Sequence, residues 1–199
     1  GIYTHFAAAK DINYPTYTLQ QVGIFNKVIN LFKKAGFKNL VKHAAATGGA
    51  IISSKYHFDM VRIGIGLYGL WPSLELKIQL DNQIKLKPVL SWKTILMETK
   101  PVKAGSFIGY DLTEQMPNDG RLGILPIGYW HGFDRGLSSI GEVLILGKRT
   151  KIIGRVSMDM AAVNLTGVPQ ARLGNEVSII GKQDQDEIAA GEIAKIIGT

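Results

Sequence analysis

Several groups of residues in this chain have types and spacings that could do chemistry. Thr47–Gly48–Gly49 and, farther on, Gly64–Ile65 form two turns that offer backbone N–H groups, the first with a hydroxyl beside them. Such turns suit a phosphate. Arg62 stands in the stretch FDMVRIGIGLYGLWPS, residues 58–73, and His43 lies on the segment before it. Glycine inside a strand marks a close approach to the backbone. An arginine aimed at that place suits an anion or a ring nitrogen that accepts hydrogen bonds. Tyr110, in SFIGYDLT, follows a glycine and precedes a turn. A phenol acts as a base only where cations or hydrogen bonds stabilise its anion. Tyr129, Trp130, His131 and Asp134 crowd the glycine-bounded loop LPIGYWHGFDR, and Met158 and Asp159 lie in GRVSMDM, a strand whose N–H groups could hold a carboxylate. Each group also has a plainer reading: glycines that serve tight turns, a buried Arg62–His43 hydrogen bond, a barrel tyrosine, an ordinary strand.

Other chemistries are excluded. The chain has no cysteine, so it has neither disulfides nor a thiolate nucleophile. His5, His43, His57 and His131 lack metal-ligand spacing, and no GxSxG, P-loop or properly flanked GxGxxG is present. The net charge is +7, but the basic residues are scattered without a stripe of interleaved aromatics, so no nucleic-acid footprint is read. No run of eighteen apolar residues and no signal peptide is visible, and a cytoplasmic protein is expected.

The elements that must position these residues change character midway. Before Pro72 the pattern is strand, helix, strand, short helix, strand, with parallel pairing expected. Ile2–Phe6 and Asn39–Ala46 read as strands. Leu19–Ala35 reads as an amphipathic helix with a capping box at Thr18 and Gln21 and an apolar face of Val22, Phe25, Val28, Ile29 and Phe32. A short helix over 50–54 follows. The alternation of Val61, Ile63, Ile65 and Leu67 with Arg62, Gly64, Gly66 and Tyr68 predicts a buried central strand. Residues 74–88 read as a linker. Beyond it, strands are expected over 89–99, 106–110, 121–127, 142–146, 150–155, 159–165 and 176–180, then a helix over 186–197. The fold class is therefore α/β followed by a mostly antiparallel β domain, with domains at 1–85 and 86–199.

Taken together and in order, GIYTHFAAAK, KHAAATGGA, HFDMVRIGIGLYGLWPS, AGSFIGYDLT, LPIGYWHGFDR, IIGRVSMDM and GNEVSIIG resemble the second half of the alanine racemase family, fold-type III enzymes that use pyridoxal 5′-phosphate. The resemblance implies the last strands of a TIM-type (β/α)8 barrel followed by a β-rich domain. It implies cofactor-binding roles for Thr47, Arg62, Gly64, Ile65, His43 and His5, with Arg62 facing the pyridine nitrogen and His5 linking it to Tyr110. It implies Tyr110 as one of two catalytic bases, the other being the Schiff-base lysine. Tyr129 would line the entrance, and Met158, with Asp159 beside it, would bind the substrate carboxylate. Alanine is the implied substrate, with D-alanine supplied for peptidoglycan, and a homodimer that shares its sites across the interface is the implied partner state. No lysine here matches the cofactor lysine, since Lys42 adjoins His43 and points the other way. This stretch alone is therefore expected to be inactive.

There are departures from the family pattern. Ala46 stands where asparagine is usual, Thr47 where serine is usual and Ile63 where proline is common. Asp111 replaces a usual glycine and His131 a usual aspartate, which raises broader or serine specificity as an alternative. A decarboxylase of the same fold type would pair the ring nitrogen with a carboxylate, and Arg62 argues against it. A single-barrel pyridoxal-phosphate carrier would lack the residues after Pro88. A degenerate, non-catalytic racemase-like domain is the third rival.

Overall fold

The computed structural model describes residues 1–199, which divide into two compact units, Gly1–Val89 and Leu90–Thr199.

In the first unit β1 (Ile2–Tyr3) pairs in parallel with β2 (Lys42–His43), and His43 makes a further parallel bridge to Met60. Parallel neighbours require a crossover, and α1 (Thr16–Lys34) supplies it. The expected capping box is absent: the helix starts at Thr16 behind Pro15, and Thr18 is buried within the first turn. Proline's fixed φ set the start, and the Thr18–Gln21 spacing was coincidental. Gln21 does other work. Its amide donates to the His5 carbonyl (3.2 Å) and accepts from the Ala7 N–H (2.9 Å), so it holds the chain that follows β1. The C-terminus closes as a Schellman motif. Gly36 takes a φ of 97°, the Gly36 and Phe37 N–H groups reach the Lys33 and Phe32 carbonyls, and the Phe32 and Phe37 rings pack edge to face. Phe25 and Ile29 are buried with Phe6, Ala44, Ala45 and Tyr56.

Three further expectations for this unit are corrected. The short helix is α2 (Thr47–Ile52), which starts at Thr47 itself. The 74–88 linker contains α3 (Leu74–Leu80), capped by Ser73 and with Glu75 in its first turn. The central strand is the largest change. The extended run is only one bridge long at Met60, and Ile65–Tyr68 is a 3-10 turn in which Leu67 is 71 % exposed. Gly64, at φ −106° and ψ −98°, breaks the extended path before the alternation can bury its apolar side.

The second unit is antiparallel. Strands β3 (Trp92–Ile95), β4 (Glu98–Val102), β5 (Gly120–Leu125), β6 (Glu142–Ile145), β7 (Lys148–Lys151), β8 (Ala161–Asn164), β9 (Glu176–Gln183) and β10 (Asp186–Ile188) precede α4 (Ala190–Ile197). One sheet runs β10-β9-β6-β7 with β3 also on β9, and the other runs β4-β5-β8. The single strand expected over 89–99 is therefore two. Its chain changes sheets at fully buried Leu96, whose N–H bonds Asn175 while that of Met97 bonds Ile124. The strand expected over 106–110 reduces to one bridge, Phe107 to Gln115. The helix expected from 186 begins at Ala190, after β10.

Leu125, Phe133, Val143, Ile145, Ile152, Val163 and Val177 are among the residues that fill this unit's core. Arg149 on β7 ties its rim together. It pairs with Glu142 (3.1 Å), Asp186 (3.2 Å) and Glu192 and donates to the Glu187 carbonyl (2.7 Å). Hydrogen bonds from its guanidinium to Glu192 and Glu142 raise its pKa further above its ordinary value. Arg149→Met is expected to cost about 2 kcal/mol, the order of one strong charge-assisted bond after discounting for partial exposure. The loss would be read as a lower urea midpoint at unchanged slope.

Candidate active site

The first unit holds a cavity of about 410 Å³ lined by His5, Thr47, Gly48, Arg62, Gly64 and Ile65, among others. Arg62 organises one wall. Its backbone N–H bonds the Ala45 carbonyl (2.9 Å). Its Nη1 donates to His43 Nδ1 (2.7 Å), and its Nη2 donates to the carbonyls of Thr4 (3.2 Å) and Ala44 (3.1 Å) and to His5 Nδ1 (3.1 Å). A guanidinium has donors only, so each Nδ1 facing it must be an acceptor and each imidazole carries its proton on Nε2. Tyr3 completes the set, with its ring stacked on His43 (5.2 Å, 3°) and the Arg62 guanidinium 5.4 Å over it. Tyr3 and His5 are two apart at β1, which puts both on one side. That spacing was the available signal for Tyr3, which the sequence reading missed. Lys42 points elsewhere and pairs with Asp59 (2.6 Å).

Thr47, 4 % exposed, organises the other wall. Its Oγ1 accepts the N–H groups of Gly64 (3.2 Å) and Gly66 (3.3 Å). Its one hydroxyl proton is thereby left to donate. A Cβ at Gly48 would lie 2.2 Å from the Ala9 carbonyl oxygen and one at Gly66 2.5 Å from Thr47 Cγ2, so the glycines are required for the close approach of these turns. A cavity with one guanidinium fixed by four acceptors and one oriented hydroxyl beside the free N–H of Ile65 fits a ring that carries an acceptor nitrogen and a phosphate.

The second unit presents the remaining residues. Tyr110 is 68 % exposed, on a turn where Gly109, Asp111 and Leu112 all have positive φ (79°, 62° and 51°). Tyr129 follows Gly128, whose α-carbon abuts the Ser157–Asp159 backbone: a Cβ there would lie 2.2 Å from the Ser157 carbonyl oxygen. The Tyr129 and Trp130 N–H groups bond the carbonyls of Ser157 (3.0 Å) and Met158 (2.9 Å), so the two loops are joined. The segment expected as a strand from 159 is a turn through Met158 and Asp159, closed by Ser157 N–H to the Met160 carbonyl (2.9 Å), and β8 begins only at Ala161. This turn leaves the Met158 N–H without an acceptor in the chain. His131 folds back to accept from the Gly128 N–H (3.2 Å), and Asp134 caps the turn after it. Phe133, fully buried against Trp92, anchors the loop from beneath.

Comparison with known proteins gives one consistent answer. The family description "Alanine racemase, C-terminal domain" matches residues 89–199, and "Alanine racemase, N-terminal domain" matches residues 1–72. An alanine racemase of Leptospira interrogans is 41 % identical over 198 residues, 98 % of this chain and 51 % of the relative, and one of Halothermothrix orenii is 40 % identical over 195 residues, 98 % of this chain and 50 % of the relative. Among solved structures, Bacillus anthracis alanine racemase with bound L-Ala-P superposes with a TM-score of 0.92 at 35 % identity, over 100 % of this chain and 50 % of that one. Bartonella henselae alanine racemase with covalently bound pyridoxal phosphate gives 0.82 at 27 %, over 100 % and 51 %. This chain thus spans about half the length of the relatives it matches. An α/β unit of parallel strands followed by an antiparallel β unit is the expected partial barrel and β domain, and the chain belongs to the alanine racemase family.

Proposed function

We propose that the full-length protein carrying this chain is a pyridoxal-phosphate-dependent isomerase that interconverts L- and D-alanine and so supplies D-alanine for peptidoglycan. The observation that supports it most is the guanidinium of Arg62, held by four acceptors in the wall of a cavity that Thr47 also lines. When bound, pyridoxal phosphate supplies an electron sink that acidifies the α-C–H of an amino acid. In this reading residues 1–85 are the closing part of the cofactor barrel and 86–199 the β domain. Thr47 donates its hydroxyl, and Gly64 and Ile65 their backbone, to the phosphate. Arg62, whose guanidinium can only donate hydrogen bonds, would face the pyridine nitrogen and keep the sink weak, which would limit side reactions. His43 and His5 orient Arg62. Tyr110 moves the α-proton on one face, and a lysine from the remaining half of the barrel moves it on the other. Met158, beside Asp159, offers its free N–H to the substrate carboxylate, and Tyr129 lines the entrance. In the homodimer of this reading, Tyr110 and Met158 serve the cavity of the sister subunit.

Two departures bear on substrate choice, and both side chains are already engaged: His131 with the Gly128 N–H, and Asp111 with Arg155 (3.0 Å). This favours alanine over a wider range. The test supplies the full-length protein with pyridoxal phosphate and L-alanine and follows D-alanine by chiral chromatography. A sample that makes none at saturating cofactor removes the reading, and faster turnover of serine would replace alanine.

A second measurement addresses the phosphate wall. Gly66→Ala forces its methyl against Thr47 Cγ2, and a buried threonine is stiff at χ1. Cofactor affinity, titrated by absorbance, is expected to fall about tenfold, roughly 1.4 kcal/mol. Adding Thr47→Ser removes the clashing methyl and keeps the hydroxyl, so the double variant should regain most of the loss.

A further inference from the structure

We propose that Glu114 is a positioning residue for Tyr110: its carboxylate bonds the Gly154 N–H and the Lys151 ammonium, and so fixes the turn that carries Tyr110 to the segment that carries Met158. The assignment rests on the reading of Tyr110 as a base given above. The turn needs an external hold. Asp111 and Leu112, at φ 62° and 51°, are consecutive non-glycine residues in the left-handed region directly after Tyr110, and such backbone persists only where its surroundings determine it. Glu114 supplies that determination three ways. Its carbonyl accepts the Ile108 N–H (2.9 Å) and closes the turn. One carboxylate oxygen accepts the Gly154 N–H (2.7 Å), and the other accepts Lys151 Nζ (3.0 Å).

The two backbones meet at glycines. A Cβ at Gly154 would lie 2.4 Å from the Ile108 carbonyl oxygen, and one at Gly109 would lie 3.1 Å from the Arg155 nitrogen. The Asp111–Arg155 pair is a second, more exposed tie across the same seam. Beyond Gly154 the chain is held to Met158 without slack: the Val156 N–H bonds the Ser138 hydroxyl (3.0 Å), and the Ser157 turn follows. Burial acts to raise the Glu114 carboxyl, but hydrogen bonds from Ser139, Gly154 and Lys151 outweigh it and hold the group below the usual carboxylate range, so it stands as a charged acceptor. A placement error of about 1 Å at a reacting group can cost on the order of 10²-fold in rate.

The test uses the full-length enzyme in deuterated water and measures by NMR how fast the α-hydrogen of L-alanine and, separately, of D-alanine is exchanged. With bases on opposite faces, a displaced Tyr110 slows exchange from the enantiomer whose α-hydrogen faces it, while the opposite base still exchanges the other. Glu114→Ala is expected to change the ratio of the two exchange rates at least about tenfold from that of the unsubstituted enzyme, with cofactor absorbance retained. Glu114→Gln keeps an oxygen for the Gly154 N–H and should restore most of the ratio. Equal slowing of both enantiomers in Glu114→Ala, or an unchanged ratio, overturns the assignment while leaving the racemase reading in place. If melting shows that Glu114→Ala does not hold its fold, Lys151→Met carries the test, since it leaves Glu114 in place but removes the ammonium that holds its carboxylate across the seam. A shift of the ratio of about threefold is then expected, and an unchanged ratio overturns the assignment. No interconversion by the unsubstituted enzyme overturns the racemase reading and this assignment with it.

Discussion

Phenylalanine at position 110 of the full-length protein is expected to lower kcat/KM for alanine racemisation about 10³-fold, in the middle of the range contributed by a positioned proton-transfer group. The side chain is 68 % exposed and packs into no core, so loss of its oxygen should move stability by less than about 0.5 kcal/mol. Cofactor absorbance should persist, because Arg62 and Thr47 lie in the other unit and are untouched. The variant therefore separates chemistry from folding. Chiral chromatography of both reaction directions reads the loss, and turnover within a few-fold of the unsubstituted protein would take Tyr110 out of the mechanism.

Arg62→Glu is expected to do more damage by a different route. The guanidinium satisfies two carbonyls and two imidazole nitrogens, all of which are acceptors. A carboxylate has nothing to donate to them, and the two carbonyls would face a like partial charge. Arg62 is half-buried, so the first unit should lose about 1–3 kcal/mol, the cost of leaving partly desolvated acceptors unpaired. Racemisation should fall at least about 10²-fold, comparable to removing one fixed electrostatic group from a site. The product spectrum gives the sharper readout. In the function proposed above, an acid at position 62 would strengthen the electron sink, so pyruvate from side reaction should rise relative to D-alanine. Arg62→Lys should fall between, since an ammonium cannot fork across four acceptors. An Arg62→Glu enzyme that makes D-alanine at the original rate without extra pyruvate would show that the guanidinium does not tune the ring.

The residues that line the cavity were more legible in the sequence than the backbone that carries them. Arg62, His5, Thr47, Gly64 and Ile65, picked out by the family resemblance, all line one cavity, and His43 hydrogen-bonds Arg62 from behind. The stretch 58–73 was misread for a physical reason. Alternation reports which side chains a strand would bury, but a 3-10 turn after a glycine accepts the same letters and leaves them half exposed. The start of α1 was obscured by a competing Thr–Gln spacing, although Pro15 marked it. The helix after Ser73 had its cap and an acidic first turn in plain view, but only seven residues in which to show a period. The tie through Glu114 could not be read at all, because a carboxylate forty residues from the N–H it bonds leaves no local trace.

The two bonds that Thr47 Oγ1 already accepts have a consequence for inhibitors. With both lone pairs engaged, the oxygen has only a proton to give, and the pocket reads the sign of whatever sits there. A cofactor mimic that ends in a sulfonate or phosphonate would meet a donor. One that ends in an ammonium, or that relies on a chelated cation, would find no electron pair free on that oxygen.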